Sequence, residues 1–576
     1  LNRKVIIRLT LIAIGIGMIF ISLFAFQLGL DNNPTLGARR IQLILLGVSI
    51  IVFASLYWIT PKLVGHTFSV TNLENKIQTQ PINNKINIIL LILLFSLVIY
   101  SYFWIITIGR IDKWPSGKNY YWKLTQAFQQ GQVHLLEEPN PELAKMENPY
   151  DFQQRKGLEY LWDTTYYDGK YFLYWGPAPA VIGVFINAVT SKPVTDAGLV
   201  FSFVIGIALF SVLLLYEIYK KLQIPAWAFW GGVLACMMNV PLIWLLTRPT
   251  FYEVSISGGQ FFLMAGFYFL FLGFRAPQPN LFYLCASSLT FGLSGATRIN
   301  LLPAIIVLTA IILLKIYFTN QKNFSKSLST FTVFLIPLIL TAISLSWYNY
   351  IRFGSIFEFG HRYQLTGPAL TANYEDISST EYIIPNIYTY IFRLPSINQE
   401  FPFFTIPKIK QDMWPFFIRL PEYYNYTEPS AGILFIIPLI GFATFLLVRL
   451  FWLFINGDIP KTTSSLTNTN QIWFALCLLI YIFIQFSILL LFLYASIRYL
   501  LDVSQILIVL SALFVGNYVQ TFDTNPIVKK IISISWVIVS ILTFAFGFII
   551  GLTGDKNTFL NQNPALFHLM ASWFNQ

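Results

Sequence analysis

Charge is scarce in this chain. Asp, Glu, Lys and Arg together make up 11% of its 576 residues, where a soluble domain carries roughly 25%. Cysteine is scarcer: Cys236, Cys285 and Cys477 all lie within apolar runs and show neither disulfide nor metal-ligand spacing, so they read as core residues. Histidine is nearly as rare, and His361 has no second His or Cys at ligand spacing, so no metal site is read there. There is no Walker motif, no dinucleotide fingerprint and no serine-centred elbow, which argues against an ATP or soluble nucleotide-sugar site. The net charge of +11 is not a nucleic-acid signature, because Lys and Arg gather at the ends of apolar runs.

What the chain has in abundance is apolar sequence, 56% hydrophobic and 17% aromatic. Runs of about 18 or more apolar residues mark membrane spans. The expected fold is an all-α polytopic membrane protein with about 13 spans, at 5–30, 41–61, 86–109, 197–219, 224–246, 254–274, 281–296, 300–318, 329–349, 431–449, 471–495, 500–520 and 531–552. Arg3 and Lys4 precede a first run that is too long for a signal-peptide core and lacks an Ala-x-Ala site, so it reads as an anchor. The short apolar stretch 178–190 is ambiguous by length. If it does not span, Lys220-Lys221, Arg275, Lys322 with Lys326, Arg449 with Lys461, and Lys529-Lys530 all share the N-terminal, cytoplasmic side. Arg39-Arg40 is the one clear exception to that arrangement.

The resulting organisation is an N-terminal hairpin (1–63), a core (86–349) with a first external loop at 110–195, a second external loop (350–430), C-terminal spans (431–552) and an external tail (553–576). No internal repeat stands out, which weakens an inverted-repeat transporter reading.

The first loop is long, aromatic and polar, a combination that fits a functional segment better than disorder. Tyr121, Leu124 and Phe128 make one apolar face of a short helix, with Gly131 as its stop, suited to lying on the membrane surface. Three acids in this loop are candidate catalytic groups. Asp112 follows the span 86–109 and is either a general base at the water–lipid boundary or a solvated residue paired with Lys113 or Arg110. Asp168-Gly169 is a turn pair as readily as a functional one. Asp163 is suited to capping the turn that follows it. Tyr166, Tyr167, Tyr171, Tyr174 and Trp175 serve either the interfacial aromatic belt or a sugar platform.

Ionisable groups also stand at the external ends of spans: Arg248 and Glu253 in one short turn, Arg298 between two spans, and Arg498, Tyr499 and Asp502 in a late one. Arg298 lacks a local carboxylate and is suited to a lipid phosphate, or to snorkelling toward headgroups. Arg498 and Asp502 have the spacing of an intrahelical ion pair. The Asn425-Tyr-Thr427 sequon is of a kind that arises often by chance.

These features together resemble the GT-C superfamily of membrane glycosyltransferases. The nearest branch is that of the dolichyl-phosphate-mannose protein mannosyltransferases and the bacterial lipid A aminoarabinose transferases. The resemblance rests on Asn148-Pro-Tyr-Asp151, Arg155, Trp162-Asp163, Tyr167-Asp-Gly-Lys-Tyr171 and Gly176-Pro-Ala-Pro179, and on Phe251-Tyr-Glu253, Asn349 with Arg352-Phe-Gly354, and Arg498-Tyr499 with Asp502. It covers roughly 86–320, with patches near 347–363 and 494–505. It implies sugar transfer from a polyprenyl-phosphate carrier to an acceptor glycan, lipid or protein at the extracytoplasmic face of a bacterial cytoplasmic membrane. The external acid after the span before the first large loop then acts as base, which by position is Asp112. The family often has Asp-Glu there and this chain has Lys113, so Asp163 and Asp168 stay candidates. Arg298, then Arg248 and Arg498, would stabilise the lipid phosphate, with Glu253, Tyr167, Lys170, Tyr171 and Tyr499 as further substrate contacts. A divalent metal is left open, and 1–63 would be an addition to the family core. The competing readings are a transporter or lipid flippase, a non-catalytic membrane scaffold, and an oligosaccharide ligase or polymerase.

Overall fold

The computed structural model describes residues 3–30, 40, 43–44, 47, 50, 84–222, 224–320, 323–367, 377–408, 414–416, 418–422, 424, 428–455, 469–521, 526–555 and 557–574. Among these, nine helices are long and apolar enough to cross a membrane. Shorter apolar helices lie within the expected spans 5–30, 281–296 and 431–449. The expected span 41–61 falls almost entirely outside the described residues. The helix Ala178–Thr190 has 13 residues, about 20 Å at 1.5 Å per residue, against a hydrocarbon core of about 30 Å.

Helices differ in how much of themselves they bury. In Ala226–Thr247 and Ile497–Val519, 89% of the apolar window is covered by protein, against 17% in Asn87–Ile106 and Ser327–Phe353. The first pair is central and the second pair presents most of its surface outward. Phe251–Gly273 packs against Leu281–Thr297 through a hydroxyl ladder. Ser287 Oγ donates to the Gly266 carbonyl at 2.9 Å and Ser294 Oγ to the Gly259 carbonyl at 2.9 Å. Small residues let the two backbones approach this closely. A side chain at Gly259 would bring its Cβ within 3.1 Å of Arg298 Cβ, so the ladder also sets where Arg298 stands.

The expected span 224–246 is broken in the middle. Its halves, Ala226–Met237 and Val240–Thr247, meet at Asn239, whose Nδ2 donates to the Ala235 carbonyl at 2.8 Å while Oδ1 accepts from Leu242 N at 3.3 Å. Pro241 has no N–H to continue the first half, and the asparagine satisfies the ends that the break leaves. Arg40, the exception to the charge rule, donates to the Ser22 and Leu23 carbonyls at 2.7 and 2.9 Å. It thus stands at the C-terminal end of Arg3–Leu23, where a cation is favoured.

The two long loops are joined to each other. Thr165–Tyr167 and Lys170–Phe172 form a hairpin whose turn, Asp168-Gly169, has φ of 48° and 66°, the left-handed conformation that Asp and Gly tolerate best. Residues of the second loop dock on its entry: Asp163 N donates to the Leu365 carbonyl at 3.0 Å and Leu365 N to the Thr164 carbonyl at 2.8 Å. Two buried arginines fasten the assembly. Arg155 donates to the Thr366 carbonyl at 2.7 Å, and Arg352 to the Leu173 carbonyl at 2.6 Å.

The short helix of the first loop, Tyr120–Gln129, is not simply laid on a membrane surface. Tyr120, Tyr121 and Leu124 are fully buried, and the Asp196 carboxylate accepts from Tyr120 N and Tyr121 N at 3.0 and 3.1 Å. That carboxylate satisfies the free N–H groups and the dipole at the start of the helix. Its apolar face turns toward protein.

Candidate functional site

The three arginines singled out in the sequence meet at one end of the bundle. Each is placed by a break in helix geometry. Arg248 follows Val240–Thr247, Arg298 sits between Leu281–Thr297 and a 3-10 turn at Ile299–Leu301, and Arg498 lies in a 3-10 turn, Ile497–Leu500. Glu253 belongs to the capping box that starts Phe251–Gly273 with Thr250.

Their partners differ from the local pairs that spacing suggests. Asp502 does not pair with Arg498, four residues away. The 3-10 turn ends at Leu500, so the two residues do not share one α-helical face. Asp502 instead accepts from Arg298 at 2.9 Å, with its side chain fully buried. Gln260 and Gln485 each donate to its carboxylate at 3.3 Å, and Tyr481 donates to its carbonyl at 2.9 Å. Arg498 pairs with Glu253 at 3.2 Å and with Glu428 of the second loop at 3.5 Å. Arg248 reaches Glu253 at 3.8 Å and Asp555 at 3.4 Å.

Aromatic rings tie the cations together. Arg298 and Arg498 each stand 5.3 Å from the centre of the Tyr499 ring. Arg498 and Arg248 share the Tyr252 ring at 5.2 and 5.5 Å. A cation over a ring face is attracted to it without being neutralised. Trp175 of the first loop packs on Phe251 and Tyr252, with centroids 4.8 and 5.3 Å apart, and Tyr174 packs on Trp175. Gly176 makes this approach possible, since a Cβ there would come within 2.0 Å of the Ala296 carbonyl oxygen. The Tyr494 and Tyr499 hydroxyls hydrogen-bond at 2.8 Å.

Asp163 is a first-loop acid in electrostatic range of this group, through Arg498. It is buried, in a left-handed conformation with φ of 62°, and accepts from Gln364 Nε2 at 2.9 Å. Burial pushes its carboxyl above the usual carboxylate range, while Thr366, Gln364, Lys118 and Arg498 pull it back. The Tyr174 hydroxyl is driven well above its ordinary value by burial and then by the charge of Asp163, with Tyr494, Tyr499 and Arg498 also within electrostatic range. For Glu428, burial alone would raise the carboxyl, but Arg498 and Arg248 hold it below its usual value.

The other candidates stand apart from this cluster. Asp112 is exposed in the turn after Asn84–Ile106, and Asp168 and Lys170 are exposed at the hairpin tip. Among the described residues, no hydrogen bond or ion pair links these residues, or Asp163, to the arginines; Asp163 differs in being buried and in electrostatic range of Arg498. Tyr167 packs on Phe353 and Tyr363, and Tyr171 is buried behind the hairpin against Tyr166. Burial lowers the His361 imidazole to about 4. Among the described residues, no group of three or more His, Cys, Asp and Glu is arranged to hold a metal ion. Glu253, Glu428, Asp502 and Asp555 are each committed to an arginine, a poor donor set for a divalent cation.

Reading the sequence missed Glu428, Asp555, Tyr494, the Asp163 partners Gln364 and Thr366, and the Asp502 partners Gln260, Gln485 and Tyr481. Glu428 directly follows the 425–427 sequon, and its partner Arg498 lies far along the chain. The chain matches no protein-family model, no curated protein and no solved structure.

Proposed function

We propose that this chain is a GT-C-type membrane glycosyltransferase. In this reading it moves a sugar from a polyprenyl-phosphate carrier to an acceptor hydroxyl at the extracytoplasmic face of a bacterial cytoplasmic membrane. The observation that carries the reading is the meeting of Arg248, Arg298 and Arg498 at one end of the helices, with a buried loop carboxylate, Asp163, in electrostatic range of Arg498. A fold of about 13 spans, with 1–63 as an added hairpin, is part of the same proposal.

The chemistry requires an acid–base group and a cationic seat close together. The acceptor oxygen attacks the anomeric carbon as its proton passes to the Asp163 carboxylate. The bond from that carbon to the phosphate oxygen breaks, and the electron pair leaves with the lipid phosphate. Inversion at the anomeric carbon follows from a single displacement. The leaving phosphate gathers charge in a site of low polarity, where preorganised guanidinium donors stabilise it most. Trp175, Tyr174 and Tyr252 offer ring faces of the kind that pack against sugars.

Asp163 takes the base role here in preference to Asp112 because it is held by Gln364, is buried, and feels the charge of Arg498. A carboxyl raised by burial is a better proton acceptor than an exposed one. A transporter reading would need ionisable groups near the middle of the spans. In this cluster they sit at helix ends. A ligase or polymerase acting on lipid-linked glycans would use the same donor chemistry.

The test is mass spectrometry of polyprenyl-phosphate lipids in cells with and without the gene. Accumulation of one polyprenyl-phospho-sugar in the deletion supports the reading and names the donor. An unchanged lipid profile argues against it.

A further inference from the structure

The carboxylates around the arginines fall into two classes. Glu253 and Asp502 have fully buried side chains and lie 3.2 and 2.9 Å from Arg498 and Arg298. Glu428 and Asp555 are 23% and 12% exposed and lie further out, 3.5 Å from Arg498 and 3.4 Å from Arg248. The first class is locked within the helices. Removing one of those acids would leave an uncompensated buried charge. The second class comes from the second loop and from the turn after the helix Pro526–Thr553. A pair with one partner open to solvent is screened more than a sealed one, and its carboxylate can be reached by a competing anion.

We propose that Glu428 and Asp555 are exchangeable counter-ions, occupying Arg498 and Arg248 until a phosphate group displaces both. This rests on the reading of the site as one for a phosphate-bearing lipid. The charges are consistent with it. Arg248, Arg298 and Arg498 carry three positive charges and Glu253 and Asp502 two negative ones. The remaining single positive charge is overbalanced by Glu428 and Asp555 to a net of minus one. The phosphodiester of a polyprenyl-phosphate-sugar carries one negative charge, and the phosphate monoester left after transfer roughly −1.5 to −2 near neutral pH. Added on top of all four acids either would meet strong repulsion. Exchanged for Glu428 and Asp555, the diester brings the cluster to neutrality and the monoester leaves its charge nearly unchanged.

Geometry supports the exchange. A guanidinium binds phosphate through paired N–H donors. Arg498 Nε is buried and has no hydrogen-bond partner among the described residues, so a donor stands ready beside Nη2, the nitrogen that Glu428 would vacate. Arg248 is 28% exposed, open to a headgroup from outside. Ser496 Oγ, which donates to Glu428 at 3.3 Å, would be released with it. Phosphate arrival would thereby free the second loop at Glu428 and the tail at Asp555. Occupancy of the donor seat is then coupled to the two segments that border it.

The experiment measures binding of farnesyl phosphate, with inorganic phosphate and farnesol as separate arms, to the purified full-length protein in detergent. Glu428→Gln and Asp555→Asn are compared with wild type. Loss of a competing carboxylate should tighten farnesyl phosphate binding by about two- to fivefold per variant, the range that one partly exposed ion pair implies. Glu253→Gln, a locked acid, should give no such gain. Equal tightening toward inorganic phosphate would assign the exchange to any phosphate, and tightening toward farnesyl phosphate alone would assign it to the lipid headgroup. Binding by wild type that is unchanged or weakened in correctly folded Glu428→Gln and Asp555→Asn overturns the exchange while leaving the transferase reading intact. Binding of neither phosphate probe to any of the proteins overturns both.

Discussion

Arg298 and Arg498 hold their guanidinium groups at the same distance, 5.3 Å, from the ring of Tyr499, although they come from separate breaks in helix geometry. Tyr499 thus joins two like charges that would otherwise repel. Replacing it with Leu removes both cation–ring contacts and the hydroxyl bond to Tyr494, while Tyr499→Phe removes only the latter. Each ring contact is worth about 0.5–2 kcal/mol. Tyr499→Leu should therefore lower the thermal midpoint of the purified protein clearly more than Tyr499→Phe does. Equal effects of the two would show that the ring face contributes nothing.

Asp502 is the buried anion that keeps Arg298 in place. Asp502→Ala leaves a buried guanidinium without its carboxylate, at a cost of about 3–5 kcal/mol. Loss of folded protein, read by size-exclusion chromatography in detergent, is the expected result. Asp555→Ala, which removes a partly exposed partner of Arg248, should cost no more than about 1 kcal/mol.

Gly259 has room for Arg298 only because it lacks a side chain. Gly259→Val forces the two helices or the arginine to shift. Overpacking of this kind costs about 1–3 kcal/mol. The donor KM should rise with it, because Arg298 is displaced from the seat. Gly131→Ala meets no neighbouring atom and, despite the strain of φ at 71°, should leave the donor KM unchanged.

The pH dependence follows from Asp163. Its carboxyl is raised by burial, so the folded protein holds this proton to higher pH than the unfolded chain, whose Asp titrates near 3.9. Between those two values the native state binds more protons, and the contribution of this residue to stability falls as pH rises. Activity has the opposite slope, because the base works as the carboxylate. The acid limb of kcat/KM should lie above the usual carboxylate range. Gln364→Leu removes a hydrogen bond that favours the charged form, and should move that limb further up. A limb that stays in place, or shifts down, would remove Asp163 as its source.

The helices were legible because about 18 apolar residues have few other fates. In the first loop, the turn was legible because Asp168-Gly169 admits the left-handed conformation that a two-residue hairpin loop needs. The three arginines also stood out, as ionisable residues at span ends. What could not be read was their pairing. Asp502 lies 204 residues from Arg298, and only the packing of Phe251–Gly273 on Leu281–Thr297 and on the late helices brings them together. Spacing alone pointed Asp502 toward Arg498, and a 3-10 turn removes that option. Asp163 was read as a local cap or a catalytic candidate. Its actual partners, Gln364 and Thr366, come from another loop, a tertiary relationship with no periodic signal. Asp112 drew attention by its position after a span, which says nothing about what faces it.

Complementation of the deletion strain by acid variants, read as accumulated polyprenyl-phospho-sugar, bears most directly on the assignment of Asp163 as the base. The account predicts that Asp163→Asn, expressed and inserted at wild-type levels, accumulates the lipid as the deletion does, while Asp112→Asn and Asp168→Asn clear it. Clearance by Asp163→Asn together with accumulation in Asp112→Asn would contradict the account and return the base to the end of the span 86–109.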